Sequence, residues 1–252
     1  MKTLGALALT AALCGVGCSV AGEDTFGNRG LGATGDAGAD AGATSDAGTG
    51  GAGGQGGGGG SGGSGPTPDP TCGCADGFRE AFLDRVAQPN LAGCAGAFDV
   101  PGVTTPESLT AACGREAGDD GKNPSGLGCS VEDLCSAGWH VCKSGSEVAA
   151  RSATGGCESP DPGSSAFWLT RQSQTEASEC AAPVVVNNLV GCGNLGAAPA
   201  ASCAPLLRVL GVDECIPSAA WFCGSGPEDA LREATIVKKT GLAEGGVLCC
   251  RD

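Results

Sequence analysis

The chain has 252 residues, among them 47 Gly, 17 Cys, 14 Pro, three Trp, one His and no Tyr, and 14 basic against 28 acidic side chains give a formal charge of −14. A sequence pI near 4.3 excludes nucleic acid as a partner, because phosphate binding needs a basic face. It also disfavours charge-driven adsorption to anionic lipid, so membrane contact is expected only through a covalent anchor.

The N-terminus reads as an export signal over residues 1–17. A basic start at Lys2 is followed by an apolar stretch, Leu4 to Leu13, too short to span a bilayer, and then by small residues. Two cleavage sites follow. Gly15-Val16-Gly17-Cys18 resembles a bacterial lipobox, which would expose Cys18 for lipidation, with Gly15 where that motif usually carries Leu. Ser19-Val20-Ala21 offers an ordinary small-x-small site, which would release a soluble chain starting at Gly22. The first predicts an outer-membrane or cell-surface lipoprotein and is preferred; the second predicts a secreted protein.

Residues 18–70 form the next region. The window 22–70 holds 20 of the 47 glycines and the run Gly56 to Gly60, with almost no apolar side chain larger than Ala. Such a segment cannot bury enough surface to offset its ordering entropy, and a disordered linker is expected. Its root-mean-square span is roughly 35–42 Å, enough to hold a domain away from an anchored end.

The folded part is expected over 71–252, with 12 basic and 22 acidic side chains, a balance of −10. It contains 15 cysteines: Cys72, Cys74, Cys94, Cys113, Cys129, Cys135, Cys142, Cys157, Cys180, Cys192, Cys203, Cys215, Cys223, Cys249 and Cys250. In an exported chain this density predicts a disulfide scaffold. Structural zinc is disfavoured, because no Cys-x-x-Cys pair occurs and the only imidazole is His140. The odd number leaves one thiol over, and spacing does not fix the pairing. Cys249 and Cys250 fall on an expected strand, whose alternation sends neighbouring side chains to opposite faces and hence to different partners.

In chain order, Phe78, Phe82 and Val86 share one helical face behind Asp76 as N-cap, with Pro89 as the stop. Thr105 with Pro106 at the first position opens a second helix ending near Gly114. Ser130 with Asp133, and Ser144 with Glu147, form capping boxes for two short helices. Strands are expected at 139–142, 167–170, 184–186, 235–237 and 246–249. The elements intersperse without a regular alternation, which predicts an α+β fold: a small disulfide-rich domain with short helices and a mostly antiparallel sheet. The stretch 71–123 reads as mostly helical and as a possible subdomain.

Motifs that carry chemistry are few. Gly191-Cys192-Gly193-Asn194-Leu195-Gly196 matches the dinucleotide fingerprint, but Pro199 and Pro205 interrupt the helix that the motif requires, and the pattern recurs in the linker at Gly30 to Gly35. His140 is the only candidate imidazole base and sits in a strand-like segment, where a structural role is expected. Asp119-Asp120-Gly121-Lys122-Asn123 offers oxygens but lacks calcium-loop spacing, and reads as a solvated turn. No catalytic residue, cofactor or metal ligand is assigned.

The block Leu134 to Cys142, with Gly138-Trp139-His140-Val141, the later Thr170-Arg171-Gln172-Ser173, and the ending Gly245 to Cys250 resemble a Cys-rich domain of uncharacterised exported lipoproteins of myxobacterial type. The resemblance covers about 129–252 and implies location without an activity. A more distant similarity is to C-type-lectin-like and Link modules, in which Gly-Trp near a Cys precedes a helix and the last strand carries Cys. Gln88-Pro89-Asn90 resembles the lectin calcium triplet but precedes the Gly-Trp block, so that calcium site does not carry over.

Two functions follow as expectations. The preferred one is a lipid-anchored, non-catalytic surface module that binds an extracellular protein or polysaccharide. The alternative is a secreted hydrolase working through carboxylates. A hydrolase should show facing acids of perturbed pKa in a cleft; a binder should expose an aromatic or apolar patch, with Trp139, Trp168 and Trp221 as candidates. Burial of all three tryptophans as core packing is the expectation, and it would remove the tryptophan version of that patch.

Overall fold

The computed structural model describes residues 70–157, 165–173, 187–198, 204–211, 215, 218–226 and 228–252. Its regular elements are β1 (Leu91–Ala95), β2 (Trp139–Val141), α1 (Gly145–Arg151), β3 (Phe167–Ser173), β4 (Leu189–Gly193), β5 (Arg208–Leu210), β6 (Trp221–Phe222), α2 (Glu233–Ile236), β7 (Lys238–Lys239) and β8 (Gly245–Arg251). Cys18, Cys180, Cys203 and the expected strand 184–186 lie outside the described residues.

The organising element is β8. It pairs antiparallel with β1 along Leu91↔Cys250 to Ala95↔Gly246. Against its other partners it is shared: parallel with β3 through Phe167↔Gly245 to Leu169↔Val247, and antiparallel with β2 through Trp139↔Arg251 to Val141↔Cys249. From β3 the sheet continues antiparallel to β4 and β5, and β6 and β7 form a separate two-stranded ladder. The fold is α+β, disulfide-rich, with a mostly antiparallel sheet and a single parallel ladder among the described strands.

Strand alternation distributes the core over both faces. Val247 and Cys249 of β8, Ala92 and Cys94 of β1, and Phe167 and Leu169 of β3 enter one cluster with Phe98, Leu134, Trp139 and Trp221. Leu248 and Cys250, Leu91 and Ala95, and Trp168 enter the other with Phe82, Val148, Leu206 and Val209. Aromatic edges fill the first cluster, with Trp221 meeting Phe167 at 5.7 Å and Phe98 at 6.2 Å between ring centroids in T-shaped contacts.

Six disulfides join described residues: Cys74–Cys94, Cys113–Cys129, Cys135–Cys249, Cys142–Cys250, Cys157–Cys192 and Cys215–Cys223. Cys72 is disulfide-bonded as well. The neighbours Cys249 and Cys250 do reach different partners, one on each face of the sheet.

Several local expectations fail for identifiable reasons. No helix forms over 76–86: Ala81 bridges Gly93 in a β-like contact, Phe82 has φ of +57°, and Val86 is 88 % exposed. The Arg79 guanidinium takes the carbonyls of Cys72, Phe82 and Gln88 and lies over the Trp139 ring, and these long-range contacts override the short apolar period. The stretch 71–123 contributes β1 to the main sheet, and its 3-10 turns are Pro70–Cys72 and Pro106–Leu109. At 235–237 the β-branched run is not a strand. Thr235 and Ile236 close α2, and pairing begins only at Lys238.

The caps hold. Thr105 and Pro106 open a 3-10 turn that ends at Leu109, short of Gly114. Ser130 and Asp133 form a reciprocal box on the turn Val131–Leu134. The Ser144 side chain accepts from the Glu147 backbone at the start of α1.

The Gly191–Gly196 motif is explained by packing. Gly191 lies within β4, where a Cβ would fall 2.1 Å from the Trp168 carbonyl oxygen, and a Cβ at Gly193 would lie as close to that of Ala166. These glycines let β4 approach β3; they do not frame a phosphate. Gly191→Ala is therefore expected to cost about 3 kcal/mol or more, read as a lowered denaturant midpoint.

Candidate functional site

Among the described residues, three gatherings of chemically equipped side chains stand out. The first is His140 on β2, whose Nδ1 lies 2.5 Å from Asp252 Oδ1 and whose Nε2 lies 3.0 Å from Glu147 Oε1. Both ring nitrogens face carboxylates, so neither is turned to a hydroxyl nucleophile as a Ser-His-Asp arrangement requires. The ring clamps the chain end and α1 to β2. Glu147 serves the same end, since its other oxygen accepts from the Lys143 backbone at 2.7 Å.

The second is the aromatic set. Trp139, Trp168 and Trp221 are 2, 3 and 4 % exposed; the rings are core, as expected, and a tryptophan patch is ruled out. Beside Trp221, a recess of about 310 Å³ is lined by Cys215, Ser218, Phe222, Cys223, Gly224 and Ser225. Its apolar rim is Phe222, which is half exposed on β6.

The third is a carboxylate cluster that joins two distant segments. Asp76 and Glu80 come from the irregular stretch before β1, and Asp119 from the turn after Ala117. One oxygen from each lies within 4.8 Å of the other two. Asp76 is buried, its Oδ1 accepts from the Phe78 backbone at 3.1 Å, and its Oδ2 has no hydrogen-bond partner. Glu80 Oε2 accepts from the Ala95 backbone at 2.7 Å, which ties the cluster to the end of β1. Asp119 Oδ1 is also buried without a partner.

Gly118 makes the approach possible. It has φ of +124°, and a Cβ there would sit 2.2 Å from Asp76 Oδ2.

Burial, reinforced by the neighbouring acids, raises all three carboxyls. Asp76 is pushed up to about 7, chiefly by burial and then by the charge of Asp119, against the pull of the Phe78 and Asp120 backbone. Glu80 is held well above the usual carboxylate range by burial, then by Asp119 and Asp76. Asp119 is raised by burial and by Asp120. Each group favours its neutral form in the folded state. The unfolded chain therefore binds fewer protons between about pH 4 and 7. The cation-free protein is expected to lose stability as pH rises through that window, and Asp76→Asn to flatten the loss, both read from thermal midpoints against pH.

The cluster does not meet the hydrolase expectation. Asp76 is buried and Glu80 is spent on a backbone N–H, whereas a glycosidic pair must flank an accessible bond. The turn 119–123 forms no calcium site of its own: Asn123 Nδ2 donates to the Leu127 carbonyl, Lys122 pairs with Glu116 at 3.6 Å, and Asp119 turns to Asp76 and Glu80. Sequence reading missed this grouping because its members are remote in the chain. The only signal was the acidic pair Asp119-Asp120.

Among the described residues no helix is long and apolar enough to cross a membrane. No protein-family model matches the chain, and no solved structure matches it.

Proposed function

We propose that the protein is exported, tethered at Cys18 by a lipid anchor, and displays on the cell surface a disulfide-stapled, non-catalytic module that binds an extracellular protein or polysaccharide. The observation that carries this reading is the disulfide frame, six bridges among the described residues of a small domain. Such a frame persists in oxidising compartments and is removed by cytosolic thiols. The lipobox-like Gly15 to Cys18 and the Gly-rich 22–70 window supply an anchor and a stalk. The resemblance to Cys-rich exported lipoproteins points the same way. His140 and the acid cluster lack a nucleophile or an open acid pair, which favours binding over hydrolysis. With the tryptophans in the core, the recess beside Phe222 is the concave surface where contact is best sought.

The test is the intact mass of the mature protein from its native host. A chain starting at Cys18 with three acyl chains is expected. An unmodified chain starting at Gly22 would refute the tether and leave a released protein.

A further inference from the structure

We propose that Asp76, Glu80 and Asp119 bind a calcium ion, which pins the 116–123 turn to the segment that leads into β1. Two buried carboxyl oxygens of the cluster lack a hydrogen-bond partner. Asp76 is only 6 % exposed, yet its Oδ2, turned against Gly118, has no hydrogen-bond donor; Asp119 Oδ1 is in the same condition. Buried polar atoms are ordinarily paired, and orphaned oxygens on three adjoining acids leave a place for a proton or a cation.

Among the described residues no Lys or Arg lies within 4.0 Å of the three carboxylates. Lys239 attracts Asp119 at longer range, but its ammonium donates to the carbonyls of Gly241 and Leu242. Asp120 adds a fourth negative charge at the rim.

The donor set selects the ion. All three ligands are hard carboxylate oxygens, with no imidazole or thiolate among them. That chemistry suits calcium, which tolerates an irregular oxygen shell, more than zinc, or magnesium with its strict octahedron. Glu80 and Asp119 are partly exposed, leaving room for water to complete the coordination. An extracellular setting, where such modules bind calcium at about 10⁻⁴–10⁻³ M, fits this arrangement. The site does not depend on how the chain is anchored.

The competing occupant is a proton shared within the cluster, and calorimetry separates the two. The oxidised full-length protein, stripped with EDTA, would be titrated near pH 6.5 with CaCl2, and separately with MgCl2. One calcium per chain is expected. The melting temperature should rise by about 3–10 °C at about 10 mM calcium, and Mg²⁺ should bind at least tenfold more weakly. Asp119→Asn, which changes a partly exposed member with little change of shape, should weaken binding at least tenfold. The stoichiometry and melting shift measured on the unsubstituted protein keep the test independent of that variant's folding. No binding at about 10 mM calcium would overturn the proposal. Equal affinity for Mg²⁺ would overturn the choice of calcium.

Discussion

Removing one of the two bridges that anchor β8 is expected to cost about 3 kcal/mol, and removing the second about 5 kcal/mol more. Cys135–Cys249 and Cys142–Cys250 span 114 and 108 residues, and both tie the 135–142 region to the C-terminal strand. While one is intact, the other closes only a small ring, running from Cys135 to Cys142 and across the Cys249-Cys250 peptide. Loop-closure entropy grows with the logarithm of ring size, so a ring of about ten residues contributes about 3 kcal/mol and one of about a hundred nearly 5. The interior bridge Cys157–Cys192 shortens the large ring, but under a logarithm that changes the result little. Cys135→Ala with Cys249→Ala, the Cys142/Cys250 pair, and all four together, compared by urea midpoints, should show this unequal sequence. Equal losses at both steps would mean that packing of the sulfurs, rather than chain constraint, sets the stabilisation.

Asp133→Ala is expected to be the most damaging single substitution outside the cysteines, at about 3–5 kcal/mol. Asp133 is fully buried in the turn Val131–Leu134. Its carboxylate accepts the backbone N–H groups of Ala112 at 2.7 Å, Cys113 at 3.0 Å, Arg115 at 2.8 Å and Ser130 at 2.8 Å. Truncation leaves four backbone donors without their acceptor at once, that of Ser130 buried and the other three part-buried. Asp133→Asn keeps one accepting oxygen but turns an amide toward donors, so it should recover only part of the loss. Burial pushes this carboxyl up, but the four N–H groups outweigh it and hold it below its ordinary 3.8. The folded pKa is depressed. The stabilisation is therefore present above about pH 4 and is lost as pH falls through the folded value. The acid limb of the stability curve should be shallower in Asp133→Asn than in the natural chain.

The same residue shows how far the sequence could be read. The Ser130–Asp133 spacing announces a capped turn, because capping is local chemistry between residues three apart, and the turn is there. What the spacing could not announce is that Asp133 also gathers Ala112, Cys113 and Arg115, since those contacts depend on the fold bringing the 110–115 loop alongside. Strands at 139–142, 167–170 and 246–249 were legible from alternation and β-branched or aromatic content.

The failures have the same origin in reverse. Phe78, Phe82 and Val86 mimic a helical face, but three apolar residues are a weak period, and Arg79 gains more by filling carbonyls from three separate positions. Thr235-Ile236-Val237 has strand-like composition, yet it is too short for composition to decide against its tertiary contacts: Val103 and Thr104 donate to the Ala234 carbonyl, and Gly102 to that of Val237. The acid cluster was invisible for a further reason. Neither of its segments is distinctive alone, and only the positive-φ Gly118 brings them together.

Whether adjacent cysteines on one strand staple its two faces to different partners is read by mapping the bridges of the unreduced, alkylated protein by mass spectrometry. Partial reduction or gas-phase cleavage must split the Cys249-Cys250 peptide. The expected pairing joins Cys249 to Cys135 and Cys250 to Cys142, with none of the thirteen described cysteines alkylated before reduction. The crossed pairing, or free alkylation of Cys249 or Cys250, would contradict it.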